Sequence, residues 1–438
     1  MKQTRRDFLK NTGSTVLGAG ALGLLGPQLS FGDNSKWKAA QPPTLVVVYL
    51  RGGADSLNTV IPIRDPLYQQ LRPTIGIPPK DTKDEKGALP LASLFGLNPS
   101  MAPLYEYYKK GMFVPIINAG SPHQTRSHFD AQDFMEYAAP GVRSITEGWL
   151  NRYLSLTKKD SDSELRAVAM QPLLPRSLRG EYPVLAVPSS LGTGVALDAF
   201  DSLYMCKEDR EMMMRAEREE RKRARTDEEV AGYIRQSGQN TIQMLRKVEE
   251  ITSRARQSRV RYPETRFGKQ MKSLAQLITG NVGLEVASVD YRGWDHHARQ
   301  GGSEGKMSNM LGDVSAGLGA FAEDLGPRMN RVLVLCMSEF GRTVRENGNN
   351  GSDHGHGGFM LALGGMVKGK KVYGKWTGLE TAQLWRGRDM PVHTDFRSVF
   401  FETLYRVFGL KKELNQFFPD WRPGQDAESK PLNFLNSI

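Results

Sequence analysis

Four of the seven histidines in this 438-residue chain lie in two short groups, and each group contains an aspartate. The first group is 295–297 (Asp-His-His), and the second is 353–358 (Asp-His-Gly-His-Gly-Gly). Neutral imidazole and carboxylate are the usual protein ligands of zinc, manganese and iron. A single Asp-His pair in a loop is common, but the two groups together predict a metal site.

Three acidic residues, Asp55, Asp295 and Glu339, each follow a predicted buried strand. The carboxyl ends of parallel strands share one edge of a sheet, and ligands gather there. Carboxylates that converge at such an edge repel one another unless a cation lies between them. We therefore expect a divalent metal at this edge, with zinc, manganese, iron and calcium as candidates. The alternative, that each carboxylate caps the next helix or turn, stays open.

The run 126–130 (Arg-Ser-His-Phe-Asp) lies where a loop gives way to a predicted helix. The free N–H groups and positive dipole end of a helix N-terminus suit an anion. Ser127 is therefore a candidate nucleophile toward phosphorus or sulfur, activated by a metal or a neighbouring base. In that role His128 would orient groups or move protons, and Arg126 would hold the non-reacting oxygens. The alternative is that Ser127 is an ordinary N-cap.

Arg342 lies three residues after Glu339 and allows two interpretations. Its planar guanidinium group could clamp an oxyanion with two hydrogen bonds. It could equally hold a carboxylate of the fold in place, and the sequence leaves both roles open.

The elements that position these residues alternate between strands and helices. Continuous apolar, β-branched runs predict strands that are buried on both faces, which indicates an α/β fold with a mostly parallel sheet covered on both sides. Residues 207–261 are dense in Arg and Glu and predict a charged helical insertion or cap. The predicted strands are 44–50, 113–118, 182–187, 284–291, 331–337 and 358–363, and the predicted helices are 128–137, 264–278, 306–325 and 395–408.

Residues 1–32 predict an export signal. The pair Arg5-Arg6 precedes an apolar, Gly/Ala-rich stretch at 14–25 and a small-residue cleavage site at 30–32, which is the order of a twin-arginine signal. We expect residues 33–438 to form a single domain that the twin-arginine translocase exports folded to the periplasm or beyond. No window reaches the ~20 apolar residues that span a bilayer, so we expect no stable membrane anchor.

The net charge and the cysteine count limit the kinds of site and substrate that we expect. The formal net charge is +11, and the chain has two cysteines. Two cysteines cannot build a disulfide scaffold or a four-cysteine zinc site. The positive charge favours an anionic small molecule or polymer as substrate, and without an aromatic-basic stripe it does not favour nucleic acid.

Five motifs resemble the exported "domain of unknown function 1501" family, which is similar to the alkaline phosphatase and sulfatase superfamily. They extend over nearly the whole mature chain and are 50–59 (LRGGADSLNT), 126–132 (RSHFDAQ), 293–297 (GWDHH), 338–343 (SEFGRT) and 353–358 (DHGHGG).

The resemblance implies a three-layer α/β/α sandwich, alkaline-phosphatase-like, with metal at the strand ends. It implies that Asp55 is an early metal ligand and that Ser127 is the nucleophile. It also implies that Asp295 with His297 is a later ligand pair, and that His354 or His356 is the last imidazole ligand.

The chain also departs from the superfamily at two points. Glu339-Phe340 stands where the superfamily usually has Asp-His, so one imidazole ligand is missing there. The Cys-x-Pro-x-Arg type of signal that sulfatases need for their modified nucleophile is absent, which argues against formylglycine chemistry.

These observations predict an exported, metal-dependent hydrolase of phosphate or sulfate esters, with Ser127 or a water as the nucleophile. Two alternatives stay open: a non-catalytic binding protein that keeps a structural metal on the same scaffold, and a phosphotransferase or mutase. A Ser/His/Asp acyl hydrolase is not favoured, because no Gly-x-Ser-x-Gly elbow surrounds Ser127.

Overall fold

The structure is a computed structural model. It describes residues 42–80, 86–92, 94–187, 241–251, 258–410 and 417–437. The predicted export signal and most of the predicted insertion lie outside the described residues. Within the insertion, residues 241–251 are helical. The described helices include none that is both long and apolar enough to cross a bilayer.

The strands of the described residues form one large sheet and one small sheet. The large sheet has the strand order β11-β5-β10-β9-β1-β8-β6-β7, and the small antiparallel sheet has the order β2-β4-β3. The strands are β1 Thr44–Arg51, β2 Val60–Ile61, β3 Leu89–Pro90, β4 Gly96–Leu97, β5 Phe113–Gly120, β6 Ala167–Ala169, β7 Leu185–Ala186, β8 Val286–Arg292, β9 Val332–Met337, β10 Gly358–Leu363 and β11 Thr394–Asp395.

The large sheet is mixed but mostly parallel. β1 pairs in parallel with both β8 and β9, β6 pairs in parallel with β8 and β7, and β5 pairs in parallel with β11. β10 is antiparallel to both of its neighbours, β5 and β9. The start of β10 therefore lies at the same edge as the ends of its neighbours.

Helices cover both faces of the large sheet, which confirms the predicted α/β class. The α-helices are α1 Ser56–Thr59, α2 Pro66–Leu71, α3 Ala102–Lys109, α4 His128–Glu136, α5 Trp149–Leu156, α6 Arg266–Thr279, α7 Lys306–Leu325 and α8 Phe396–Val407.

Successive residues of β1 point to opposite faces of the sheet and so enter two hydrophobic cores. Val46 and Val48 join a core with residues of α3, α6 and α7, whereas Leu45 and Val47 join a core with residues of α4, α5 and α8. Burial stabilises the fold by about 1.5–3 kcal/mol for each such side chain. The non-alternating apolar run of β1 is thus the consequence of packing on both faces.

Each predicted strand overlaps an observed strand, and each predicted helix agrees with an observed one to within two residues at its ends. The strand predicted over 182–187 shortens to Leu185–Ala186. Pro183 has no N–H to donate, and the Tyr182 N–H donates to the side chain of Asn151 instead. The small sheet and helices α1, α2, α3 and α5 were not predicted.

Candidate functional site

Five loops meet at one edge of the large sheet. Four of them follow the parallel strands β1, β5, β8 and β9, and the fifth precedes the antiparallel strand β10. Because β10 runs opposite to its neighbours, the loop 353–357 before it lies at the same edge as the loop 293–297 after β8. The two histidine groups are thereby brought together. The loops cover 52–55, 121–127, 293–297, 338–342 and 353–357.

Glycines let these loops approach closely. Gly52 has φ +124, and a Cβ at this position would lie 2.7 Å from the backbone nitrogen of Asp295. A Cβ at Gly355 would lie 2.4 Å from the carbonyl carbon of Arg342. Any side chain at Gly52 or Gly355 would separate the loops, so the motif glycines are needed to bring the polar residues together.

Three side chains from different loops converge at this edge. His128, Asp295 and His354 each offer a ligand atom, and the three atoms lie within 4.8 Å of one another. The Asp295 Oδ2 atom lies 3.4 Å from His128 Nε2, and Asp295 Oδ1 lies 3.1 Å from His354 Nε2. All three residues are partly accessible, so a ligand can reach the group from solvent.

The hydrogen bonds of the two imidazoles fix which ring nitrogen carries the proton. His354 Nδ1 lies 2.9 Å from the backbone carbonyl oxygen of Arg126, which can only accept. His128 Nδ1 lies 2.7 Å from Oε1 of Glu339. With Nδ1 as the donor in both rings, the Nε2 atoms carry the free lone pairs.

These lone pairs face the Asp295 carboxylate and fit a cation. His128 Nε2 is buried and has no hydrogen-bond partner among the described residues. His354 Nε2 faces a carboxylate oxygen that also only accepts, which is unfavourable unless a cation or a proton lies between them. Two ligands of a tetrahedral zinc at about 2.0–2.1 Å lie about 3.3 Å apart, close to the separations found here.

His297 places a fourth potential ligand atom beside this group. Its Nε2 lies 2.9 Å from Asp295 Oδ1 and 3.0 Å from His354 Nε2. Its Nδ1 lies 2.9 Å from Asp353 Oδ1, and this hydrogen bond lowers the pKa of the Asp353 carboxyl. Asp353 therefore orients His297 as Glu339 orients His128.

Asp295 is held in place by Arg342. Arg342 Nη2 donates to Asp295 Oδ1 at 2.6 Å, and the rest of the guanidinium group donates to backbone carbonyls, including that of Ser352 at 2.9 Å. Burial alone would raise the pKa of Asp295, but the hydrogen bond and charge of Arg342 hold it well below its usual range. Of the two interpretations of Arg342, the geometry favours the one in which it holds a carboxylate of the fold.

Glu339 lies behind His128 and does not join the three converging atoms. Its Oε1 accepts from His128 Nδ1, Gln132 Nε2 and the Gly52 N–H. The bond to Glu339 raises the pKa of His128 despite burial, so the imidazole is a more basic ligand. Burial acts to raise the pKa of Glu339, but the bond from His128 lowers it. The carboxylate that was expected at the metal from its position after a strand is thus an orienting group here.

Phe340 supports the site where the superfamily has a histidine. Its buried ring lies 4.9 Å, centroid to centroid, from the rings of both His128 and His354. An imidazole is therefore missing at position 340, as the sequence predicts, but His128 brings one from the helix start.

Asp55 has a different role from the metal ligand that the resemblance implied. Its Oδ1 caps helix α1 by accepting from the Leu57 N–H. Its Oδ2 accepts from Arg72 Nη1 and from Gln300 Nε2, both at 2.6 Å. Both oxygens are therefore engaged: Oδ1 caps the helix, which is the alternative that the sequence left open, and Oδ2 lies in a fully buried ion pair with Arg72.

His356 also stays outside the converging group. Its ring stacks on Trp385 with 4.3 Å between ring centroids, and burial lowers its pKa to about 4. Of the two histidines in 353–358, His354 alone belongs to the three-residue group.

Ser127 precedes helix α4, but its hydroxyl makes no capping hydrogen bond. The Ser127 side chain is exposed, and it directly precedes His128. The expectation that this hydroxyl caps the helix is therefore not met. Arg126 donates to Asp389 Oδ2 at 2.8 Å, and its Nε is buried without a partner among the described residues.

A buried hydrogen-bond network behind the site was not predicted from the sequence. Arg51 donates to Asp290, Gln132 and Glu136, and Gln132 in turn donates to Glu339. The signal was present, because 128, 132 and 136 are four residues apart and share one face of a helix.

The protein therefore has an α/β fold with a candidate metal centre. The imidazole and carboxylate groups of this centre lie at the edge where the parallel strands of the sheet end. The family model described as "protein of unknown function (DUF1501)" matches residues 91–417. The chain therefore belongs to this family, which confirms the family predicted from the motifs. No curated protein matches the chain.

Two solved structures are similar to the chain at low identity. The zinc complex of the C-terminal periplasmic domain of EcEptC from Escherichia coli has 10% identity and a TM-score of 0.35, covering 78% of this chain and 77% of that one. The PsFucS1 sulfatase from Pseudoalteromonas sp. has 12% identity and a TM-score of 0.38, covering 90% of this chain and 74% of that one. With TM-scores below 0.5, neither similarity carries an argument about the site.

Proposed function

We propose that this protein is an exported, metal-dependent hydrolase of phosphate or sulfate esters. One observation carries the proposal: imidazole Nε2 lone pairs converge on the Asp295 carboxylate while each Nδ1 is committed as a donor. Such a constellation is typical of a metal centre whose ligands are oriented from behind. The accessible side of the group leaves room for a substrate, as in catalytic rather than closed structural sites.

His128, Asp295 and His354 would hold the metal, with His297 beside them. A bound divalent metal would polarise the ester oxygen and lower the pKa of a hydroxyl or water nucleophile. Glu339 keeps the proton of His128 at Nδ1, and the Arg126 carbonyl does the same for His354.

Ser127 is the candidate nucleophile. Its exposed hydroxyl is not used as a cap, and the N–H groups of helix α4 follow it directly. Of the two arginines, Arg126 suits the non-reacting oxygens because its Nε has no partner among the residues that the structure describes, whereas Arg342 is occupied by Asp295 and backbone carbonyls. Arg342 would act as a positioning residue.

Export by the twin-arginine route is part of the proposal and rests on residues 1–32 alone. That route carries folded proteins, which suits a metal loaded before export. The positive net charge favours an anionic substrate, small or polymeric.

The test is the metal content and esterase activity of the purified mature protein. We expect near-stoichiometric divalent metal and turnover of aryl phosphate or sulfate esters, both lost in His354→Ala and in His128→Ala. His393→Ala is a matched control, because His393 lies apart and its Nε2 faces Thr377. A folded protein that stays metal-free under metal-replete expression would overturn the proposal.

Ser127→Ala separates the nucleophiles. If Ser127 attacks the ester, this variant keeps its metal and loses turnover; if a water attacks, turnover persists. A wild-type protein that binds metal without any turnover would instead support the binding protein on the same scaffold. Product transferred to an added alcohol would support a phosphotransferase.

A further inference from the structure

A cluster of three arginines lies directly beside the candidate metal centre. Arg126 and Arg388 both contact His354: the carbonyl of Arg126 accepts from the His354 ring, and Arg388 Nη2 donates to the His354 carbonyl at 2.7 Å. Arg386 precedes Arg388 by two residues on the same hairpin. The backbone of Arg126 and the side chain of Arg388 are thus both tied to His354, and Arg386 lies on the same turn as Arg388.

A rigid turn presents Arg386 and Arg388. The backbone of Trp385 pairs with that of Asp389 through hydrogen bonds of 2.8 and 3.1 Å. Between them, Arg386 adopts φ +53 and Gly387 φ +66. The left-handed region is costly for an L side chain such as that of Arg386, and strained positions of this kind are enriched at functional sites.

Two of the three guanidinium groups lie over one aromatic ring, that of Trp385. The Cζ atom of Arg386 lies 4.4 Å from the Trp385 ring centroid, and that of Arg126 lies 5.6 Å from it. His356 stacks against the same ring. Contact with the indole therefore restricts the positions of Arg126 and Arg386, which lowers the entropic cost of binding a further group.

The charges of this cluster do not balance. The buried Asp389 carboxylate accepts from both Arg126 and Arg388, and among the described residues it is the one carboxylate that these arginines contact. Arg386 donates to the neutral Gln124 side chain. Two positive charges are thus uncompensated within the group, and Arg126 Nε is buried without a partner in the described part of the chain.

We propose that Arg386 and Arg388, which flank the tip of the Trp385–Asp389 turn, form with Arg126 an anion subsite that binds a second negatively charged group of the substrate, and that Arg126 lies between this group and the reacting ester and is shared by both. This inference rests on the proposed function and narrows its substrate class. The preferred substrates are esters that carry a second sulfate, phosphate or carboxylate next to the ester group that is hydrolysed. Planar guanidinium groups bind such oxyanions through paired hydrogen bonds.

The test is calorimetric titration of the full mature protein, in the metal state in which it is isolated, with inorganic sulfate at fixed low ionic strength. We expect a saturable sulfate site whose affinity falls about tenfold or more in Arg386→Gly. Glycine suits the left-handed backbone at this position, so the variant removes the guanidinium group without adding strain. Arg386→Lys keeps the charge and should retain part of the affinity.

Arg143→Ala is the matched control, because Arg143 is an exposed arginine that pairs with Asp130. Sulfate binding that is absent, or equal in Arg386→Gly and wild type, would overturn the subsite. Ester hydrolysis with Arg386-independent sulfate binding would overturn the subsite alone. Arg386-dependent binding without hydrolysis would overturn the hydrolase and leave the subsite.

Hydrolysis provides a second readout. For an aryl phosphate with an added sulfonate group, Arg386→Gly should raise KM about tenfold more than for the plain aryl phosphate. An equal change in both KM values would show that the arginines do not read a second charge.

Discussion

Two aspartates at the carboxyl edge of the same sheet have opposite surroundings. Asp55 follows β1 and lies in a buried ion pair with Arg72, and both side chains are at most 2% exposed. Asp295 follows β8, is 43% exposed, and faces the imidazoles of His128, His297 and His354. Residue type and strand-end position are the same in both cases.

The difference between these aspartates lies in their partners. Every oxygen of Asp55 accepts from a donor that belongs to the fold, so its charge is neutralised by the protein itself. Asp295 accepts a hydrogen bond from Arg342. With Nδ1 as the proton-bearing atom of each imidazole, its other neighbours are Nε2 lone pairs, which cannot donate a hydrogen bond to it. A carboxylate that pairs with one arginine and otherwise faces hydrogen-bond acceptors is where a cation would bind.

Removing the Asp55 carboxylate should give the largest effect. Asp55→Ala leaves Arg72 buried and without its counter-charge, so we expect the free energy of unfolding to fall by about 3–5 kcal/mol. Denaturant unfolding measures this loss. Asp65→Ala is the control: Asp65 caps α2 by accepting from the Leu67 N–H, and its removal should cost about 1 kcal/mol.

The same variant tests the comparison from the other side. Where Asp55→Ala remains folded, its metal affinity should equal that of wild type. A variant with wild-type stability and no metal would make Asp55 a ligand and remove the contrast with Asp295.

Asp295→Asn should have the next largest effect, mainly on metal binding. The amide oxygen can still accept from Arg342, but the buried guanidinium group loses its counter-charge, so we expect the free energy of unfolding to fall by about 1–3 kcal/mol, less than in Asp55→Ala. The lost charge should weaken metal affinity by about 100-fold or more, beyond the range typical of residues behind the ligands. Competition with a chelator measures the affinity, and wild-type metal content would contradict the assignment.

The large sheet was predictable from sequence because its signal is local. The apolar run of β1 needs no knowledge of its partners, and the same holds for Val332–Met337 and for the helix Lys306–Leu325. The small sheet was missed because strands such as Val60–Ile61 have two residues and no pattern to read.

The candidate site was predictable in its composition but not in its assignments. The histidine groups indicated a metal site. Asp55, however, pairs with Arg72 and so is not available to a metal, and Arg72 lies 17 positions away in a separate helix-loop segment. The His356 ring stacks on Trp385, which is also remote in sequence, and so stays outside the converging group. Pairing between distant side chains depends on how loops cross, and periodicity contains no information about it.

Glu339→Gln should have a smaller effect than Asp295→Asn. The glutamine oxygen can still accept from His128 Nδ1, but the charge that raises the basicity of the imidazole is lost. We expect metal affinity to fall by about 10- to 100-fold, measured by the same competition. Glu402→Gln is the control, because Glu402 is a buried carboxylate that accepts from the backbone of Asn433 and Leu435 instead. Equal metal affinities in the two variants would remove Glu339 from the centre.

The smallest effect should come from Asp353→Asn, and it decides how many imidazoles the centre has. Asp353 orients His297 as Glu339 orients His128, but its side chain is 52% exposed, so water can replace much of its contribution. If His297 is a ligand, metal affinity should fall by about tenfold at most. Asp130→Asn is a control of similar position, since Asp130 pairs with Arg143. An unchanged affinity would mean that His297 is bound to Asp295 through a proton, and the centre would then consist of His128, Asp295 and His354 alone.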